Sequence, residues 1–395
     1  MRHKVLTVGY AQPGFGFGRV MGELHEAFAR EFRLHHLDQG TDSRDAGPVW
    51  PPRRVDAEQV WAAAERWGVD AVFLFSDLEF VAECAAARPA SSARLLAYVP
   101  IDSPVEPSPQ WRALARLDAL AVYTRFARDS LSAALARMGA GSPRIEVVPH
   151  GCDVAMFRPL DGDPVRARAL ARDRLFGAGH ALDHSFIVLN ANRNQPRKRI
   201  DLTLRAFRRF LDLVPQSDAR LYLHMGLRDC GIRILPMAAD LGLEDRLLLT
   251  QRSLAHPVVD NERLNAIYNA CDVGLNTADA EGWGLVSFEH AATGRAQLIP
   301  EHTGCGELWQ SHACMIAAAP YRDIALDRPA YEVDVEAAAG WLARLYRDQA
   351  LRERYDMLAF AMATQQAPTW PQVGRRLAAL IGETPAAVAV AAGLG

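Results

Sequence analysis

The chain has 395 residues, half of them apolar and 23% charged, with a formal net charge of −3. That length exceeds what one core sustains and predicts two domains. The near-neutral balance excludes a general nucleic-acid binder, since no basic excess exists to neutralise phosphates.

The six cysteines (Cys84, Cys152, Cys230, Cys271, Cys305, Cys314) are scattered, with no C-x-x-C pair. They read as free thiols of a reducing cytoplasm, not as a disulfide or zinc framework. The opening "MRHKVLTVGYAQPG" has too short an apolar run for a signal peptide and reads as a first strand. No stretch reaches the ~20 apolar residues of a membrane span.

Residues 1–160 alternate apolar runs with amphipathic patterns. "KVLTVGY", "RLHHLD", "AVFLFS", "LLAYVPI", "ALAVYT" and "RIEVVPHG" are separated by segments such as "GRVMGELHEAFAREF" and "RFARDSLSAALARMG". Buried strands interleaved with helices predict a parallel sheet covered on both faces. Residues 161–184 are polar and contain Gly and Pro, and are expected to be a linker with one short helix near 164–175. The alternation restarts over 185–365, from "FIVLNAN" through "ARLYLHM", "RLLLTQ", "DVGLNTA" and "AQLIP". A helix is expected over 366–382 and a flexible tail over 383–395. The fold class is therefore α/β, with two Rossmann-like doubly wound domains facing a cleft. Ligands of such sheets bind at the carboxyl ends of the strands.

Two strand-to-helix loops carry chemistry. In "LNANRNQPRKRIDLTLRAF", Asn190 and Asn192 end a strand, and Arg193, Arg197, Lys198 and Arg199 follow before a helix. Cations there suit a diphosphate, with Arg forking onto two oxygens and Lys acting as a point charge. The chain has only two lysines, Lys4 and Lys198, and spends one of them here.

In "ADAEGWGLVSFEHAATG", Glu281 and Glu289 bracket a Gly-Trp-Gly turn and the start of a helix near Gly284 or Leu285. Gly282 and Gly284 let backbone approach a ligand, and the amides of Gly284, Leu285 and Val286 offer a helix N-terminus. Glu289 sits in an otherwise apolar helix, where an unpartnered carboxylate is costly.

These motifs resemble the retaining glycosyltransferases of the GT-B fold, family 4 (glycosyl transferases group 1). "EGWGLVSFE" matches the E-x7-E pattern and "RNQPRKRIDLTLRAF" the Arg/Lys loop. "VVPHGCDVAMFRP" resembles the family's interdomain segment, and "FEHAATGRAQLIPEHTGCGEL" the stretch after its second Glu.

The resemblance implies a hexosyltransferase using a nucleoside diphosphate sugar and a hydroxyl acceptor, with no metal and no cofactor. Arg193 and Lys198 would hold the diphosphate, Glu281 would face the hexose and Glu289 the ribose. The amides of Gly284, Leu285 and Val286 would take sugar or phosphate oxygens, and Arg252 in "TQRSLAHP" would lie near the base. In "AQPGFGFGRVM", Gly14, Gly16 and Gly18 resemble the family's glycine loop. Asp102 stands where many members carry a His; it would orient or activate an acceptor hydroxyl, or else cap the next helix. His150 carries no assigned role.

Two rival expectations remain. A non-catalytic sugar-nucleotide scaffold would keep this fold. An NAD-dependent oxidoreductase would use the glycine loop with Asp38, although the spacing is G-x-G-x-G. The D-x-D of Asp161 and Asp163, which could hold a metal, lies in the linker and reads as a turn. A lipid-linked acceptor would add peripheral membrane contact, for which "QWRALARLDALAVYTRFARDSLSAALAR" is the candidate surface.

Overall fold

A computed structural model describes residues 2–11, 16–40, 55–90 and 93–383. Gly14 and the tail beyond Glu383 lie outside these described residues. The chain divides into two compact units, Met1–Gly151 with Pro368–Gly395, and Cys152–Ala367.

The first unit holds six strands: β1 (Lys4–Gly9), β2 (Arg33–Asp38), β3 (Ala71–Phe75), β4 (Arg94–Val99), β5 (Ala119–Val122) and β6 (Ile145–Val147). Their order is β2-β1-β3-β4-β5-β6, and every pairing is parallel. Strands β3 and β5 are buried throughout, the signature of a sheet covered on both faces. Each fully buried Val, Leu or Phe in such strands contributes about 1.5–3 kcal/mol.

The helices start where short polar side chains cap them. The Thr124 hydroxyl accepts from the Ala127 amide ahead of the helix Arg125–Arg137, and Asp77 caps Leu78–Ala86 in the same way. The last helix, Trp370–Gly382, belongs to this unit. A Cβ on Gly374 would collide with that of Ala27, so glycine permits its close approach to the helix Gly16–Phe28. A Cβ on Gly151 would stand 2.7 Å from Trp370, so that turn too needs glycine.

The second unit repeats the design with β7 (Ile187–Asn190), β8 (Arg220–Leu223), β9 (Leu247–Leu249), β10 (Val273–Leu275), β11 (Ala296–Pro300) and β12 (Cys314–Ile316). The order is β12-β11-β10-β7-β8-β9, again all parallel. Strands run outwards in opposite directions from the β7–β10 pair, which makes that pair the topological switch point. An antiparallel hairpin, β13 (Ala318–Asp323) with β14 (Arg328–Val333), forms a separate two-stranded sheet.

Within residues 161–184 lies the 13-residue helix Pro164–Phe176, close to the bounds expected for it. Asp163 caps it, accepting from the Val165 and Arg166 amides at 2.8 and 3.0 Å, and Asp161 takes the Arg166 guanidinium. Arg168 and Arg172 on this helix both reach Asp272, at 2.7 and 2.9 Å, which fastens it to the second unit.

The run 110–137, named as a candidate membrane-contact surface, comprises most of the 3-10 helix Pro109–Arg116, the buried strand β5 and the helix Arg125–Arg137. Among the described residues no helix is long and apolar enough to cross a membrane.

Candidate active site

The loops after β7 and β10 meet at the switch point. Lys198 ends a short 3-10 turn, Pro196–Lys198, and Arg199 then takes a left-handed conformation (φ 46°) before the helix Ile200–Leu213. Lys198 Nζ donates to Glu281 Oε2 at 2.5 Å, and both side chains are 8% exposed. Burial by itself would raise the Glu281 carboxyl. The Lys198 and Arg197 charges outweigh it, together with hydrogen bonds from Lys198 and Asn276, so the group stays ionised below its usual range.

The backbone beneath is held by a buried polar chain. Thr277 Oγ1 contacts the Lys198 carbonyl at 3.2 Å and Thr203 Oγ1 at 2.6 Å, and Thr203 in turn takes Asn190 Nδ2 at 2.8 Å. Thr303 Oγ1 donates to the Glu281 carbonyl at 3.1 Å.

Glu289 lies on the helix Leu285–Ala291, which starts at Gly284 with φ 87°, a conformation that favours glycine. Its carboxylate is buried and accepts from Tyr268 Oη at 2.8 Å. Gly284, Leu285 and Val286 are half-buried, whereas the residues on either side are buried. The Ser287 and Phe288 amides close onto the Gly284 carbonyl, leaving the amides of 284–286 as the helix's unpartnered start.

Arg193 is oriented by a residue that the sequence motifs did not single out. Its guanidinium makes a two-pronged bond to Asp229, Nε to Oδ2 at 2.6 Å and Nη2 to Oδ1 at 2.9 Å. Asp229 sits in a left-handed turn (φ 40°) after β8, and its amide donates to Leu254 at 2.8 Å. That bond ties in the loop 250–257, where Arg252 is exposed. Buried Asn194 completes the link, its amide donating to the carbonyls of Gly226, Arg228 and Ile232.

In the first unit, Gly16 is exposed at the start of its helix. Asp102 is half-buried after β4, and its charge pushes the buried Tyr123 phenol further up. It does not cap the next helix, whose N-cap is Ser108. His150 is a core residue: its Nδ1 lies 2.8 Å from Tyr98 Oη, its ring 3.8 Å from that of Tyr123, and burial lowers its pKa to about 3. Gln39 and Ser76, one residue past β2 and β3, are fully buried, and among the described residues their side-chain polar atoms meet no hydrogen-bond partner. Neither carried a sequence signal. Among the described residues, no group of three His, Cys, Asp or Glu side chains could hold a metal ion.

This arrangement can be compared with known proteins. No family model matches the chain. A D-inositol 3-phosphate glycosyltransferase of Salinispora tropica is 30% identical over 247 residues, 59% of this chain and 45% of that relative. A sucrose-phosphate synthase from Thermosynechococcus elongatus superposes with a TM-score of 0.72 at 18% identity, covering 96% of this chain and 98% of the other. A trehalose-6-phosphate structure from E. coli, bound with UDP-2-fluoro glucose, gives 0.66 at 14% identity, covering 97% and 100%.

The fold is GT-B, and the relatives are glycosyltransferases. The chain spans about half the length of the curated relatives it matches. In this GT-B chain the loops after β7 and β10 carry the Lys198–Glu281 contact, and Arg193 and Glu289 flank it.

Proposed function

We propose that this chain is a retaining, metal-independent hexosyltransferase that moves a hexose from a nucleoside diphosphate sugar to a hydroxyl acceptor. The observation that carries the reading is the buried Lys198–Glu281 contact at the switch point of a parallel sheet. A buried cation and a buried acid are placed together where phosphate and sugar ends of one ligand would meet.

Lys198 has three N–H donors, and one serves Glu281. Lys198 and the Arg193 fork take the diphosphate and stabilise its charge as the bond to the sugar C1 breaks. Glu281 positions the hexose, Glu289 the ribose, and the amides of residues 284–286 take sugar or phosphate oxygens. Arg252 lies on the loop assigned to the base, and Gly16 on the segment assigned to the donor phosphates. Asp102 is assigned to the acceptor.

The acceptor oxygen forms its bond to C1 on the face the diphosphate leaves, and its proton passes to the departing phosphate oxygen. No protein nucleophile is required. The names of the relatives favour a phosphorylated polyol or sugar as acceptor. Among the described residues the six cysteines form no disulfide, which fits the cytoplasm, where the donors would be supplied.

The test is calorimetry with UDP-, GDP-, ADP- and dTDP-sugars in EDTA, followed by donor hydrolysis, for the wild type and for Lys198→Ala and Glu281→Gln. Binding of one donor that Lys198→Ala abolishes, with turnover that Glu281→Gln abolishes, is the expected result. Binding without turnover toward any acceptor would leave a sugar-nucleotide scaffold. Absence of binding by every donor would overturn the reading.

A further inference from the structure

The hairpin β13–β14 completes neither parallel sheet, and Ile324 at its turn is 91% exposed. Its base is built quite differently. Asp279, two residues before Glu281, is 1% exposed and is gripped from three sides. Arg328 Nη2 reaches its Oδ1 at 2.6 Å, Tyr321 Oη donates to its Oδ2 at 3.0 Å, and the Tyr331 amide donates to its carbonyl at 3.0 Å. The Asp279 amide then donates to the Arg197 carbonyl at 2.8 Å, next to Lys198.

The hairpin also reaches the residue on the other side of Lys198. Arg199 contacts Tyr321 Oη and Glu332 Oε2, each at 3.4 Å. The Tyr331 ring stacks on His302 at 4.9 Å, and His302 Nε2 lies 2.8 Å from the Ala278 carbonyl. Residues 197, 199, 278 and 279, which flank the Lys198–Glu281 contact, are thus all tied to the hairpin directly or through one side chain.

We propose that the hairpin is a positioning element that sets the Lys198–Glu281 geometry, with Asp279 as its anchor and Tyr321 and Arg328 as positioning residues. Its catalytic consequence rests on the glycosyltransferase reading; its mechanical consequence does not. A plug that only covered apolar surface would have no need of a buried acid with two charged or polar side chains converging on it. Such a cluster holds direction, and sub-ångström direction is what transfer chemistry requires.

The experiment compares wild type, Tyr321→Phe, Arg328→Gln, Arg328→Lys and the turn control Ile324→Ser. Amide exchange over residues 277–284 is read by mass spectrometry, and kcat and KM for the donor are read separately. Tyr321→Phe and Arg328→Gln are expected to speed exchange of that loop by about tenfold without changing the β1–β6 core.

They should lower kcat by ~10–100-fold with KM shifted less than about threefold, since a misplacement near 1 Å costs this much. Arg328→Lys should recover part of kcat, and Ile324→Ser should match the wild type. Unchanged loop exchange in both variants would overturn the proposal. So would wild-type kcat, or a loss of kcat matched by loss of folded protein. Faster exchange in a protein whose wild type neither binds nor turns over any nucleotide sugar would uphold the brace and sink the glycosyltransferase reading instead.

Discussion

Lys198 and Glu281 are 83 residues apart in the chain and 2.5 Å apart in the fold. The carboxylate occupies a cation assigned to the donor diphosphate, so the two anions compete. Glu281→Gln keeps the shape and removes the competitor. Nucleoside diphosphate should then bind tighter by about three- to tenfold, up to 1.4 kcal/mol, while transfer falls sharply because the hexose loses its acid. Calorimetry beside a turnover assay checks this, and weaker diphosphate binding in Glu281→Gln would contradict it. Removing one member of this buried pair, as in Glu281→Ala or Lys198→Ala, costs about 3–5 kcal/mol of stability, so the folded fraction is read beside binding.

Arg193→Lys should be anything but conservative. The guanidinium makes a two-pronged bond to Asp229, and an ammonium cannot hold that bond and a diphosphate in fixed geometry. Diphosphate affinity should drop by about tenfold, one charge-assisted hydrogen bond, and the melting temperature should fall as Asp229 loses its fork. Affinity equal to the wild type would remove Arg193 from the site.

Tyr268→Phe deletes the hydroxyl that donates to Glu289. A buried carboxylate deprived of a donor should cost about 1–3 kcal/mol in urea unfolding. If Glu289 also reads the ribose, Glu289→Gln should narrow the preference for a nucleoside diphosphate over its 2′-deoxy form. A preference that stays the same would assign Glu289 to structure alone.

Stability should fall on acidification. Burial holds His150 and His290, one in each unit, neutral with pKa values of about 3, below the ordinary 6.5. The unfolded chain therefore binds protons first as pH drops. Their contribution is complete above about pH 6.5 and is lost towards pH 3, at up to ~1.4 kcal/mol per unit for each group.

Asp356 works the other way, its pKa raised to about 6 chiefly by burial. Its contribution is present below the ordinary 3.8 and lost as pH rises through 6, at most ~3 kcal/mol. Asp356→Asn should therefore stabilise the protein at pH 7 and steepen its decline between pH 6 and 4. Urea midpoints at pH 7, 6, 5 and 4 decide, and parallel curves for the two proteins would refute the assignment.

The two parallel sheets were legible because strands such as "AVFLF" and "FIVLN" are apolar throughout and alternate with amphipathic helices. Lys198, Glu281 and Glu289 stood out because each is a charged side chain in a setting that calls for a partner. The partners themselves did not. Asp229 lies 36 residues from Arg193, and Tyr268 lies 21 from Glu289, so no local period joins them.

The hairpin was unreadable for another reason. Its turn is Ile-Ala-Leu-Asp rather than a short Asn-Gly or Asp-Gly pair, and its strands alternate weakly. Gln39 and Ser76 look like ordinary loop residues until the fold buries them.

The helix Trp370–Gly382 fills a place beside Gly151 and Ala27, though some 216 residues separate it from the rest of its unit. On a ribosome the order of synthesis therefore works against the first unit. Its sheet emerges first, yet the seat of Trp370 stays empty until residues 152–367 have followed, a delay of about 10–40 s at ordinary elongation rates. The second unit has no such wait. The unit that begins first is completed last.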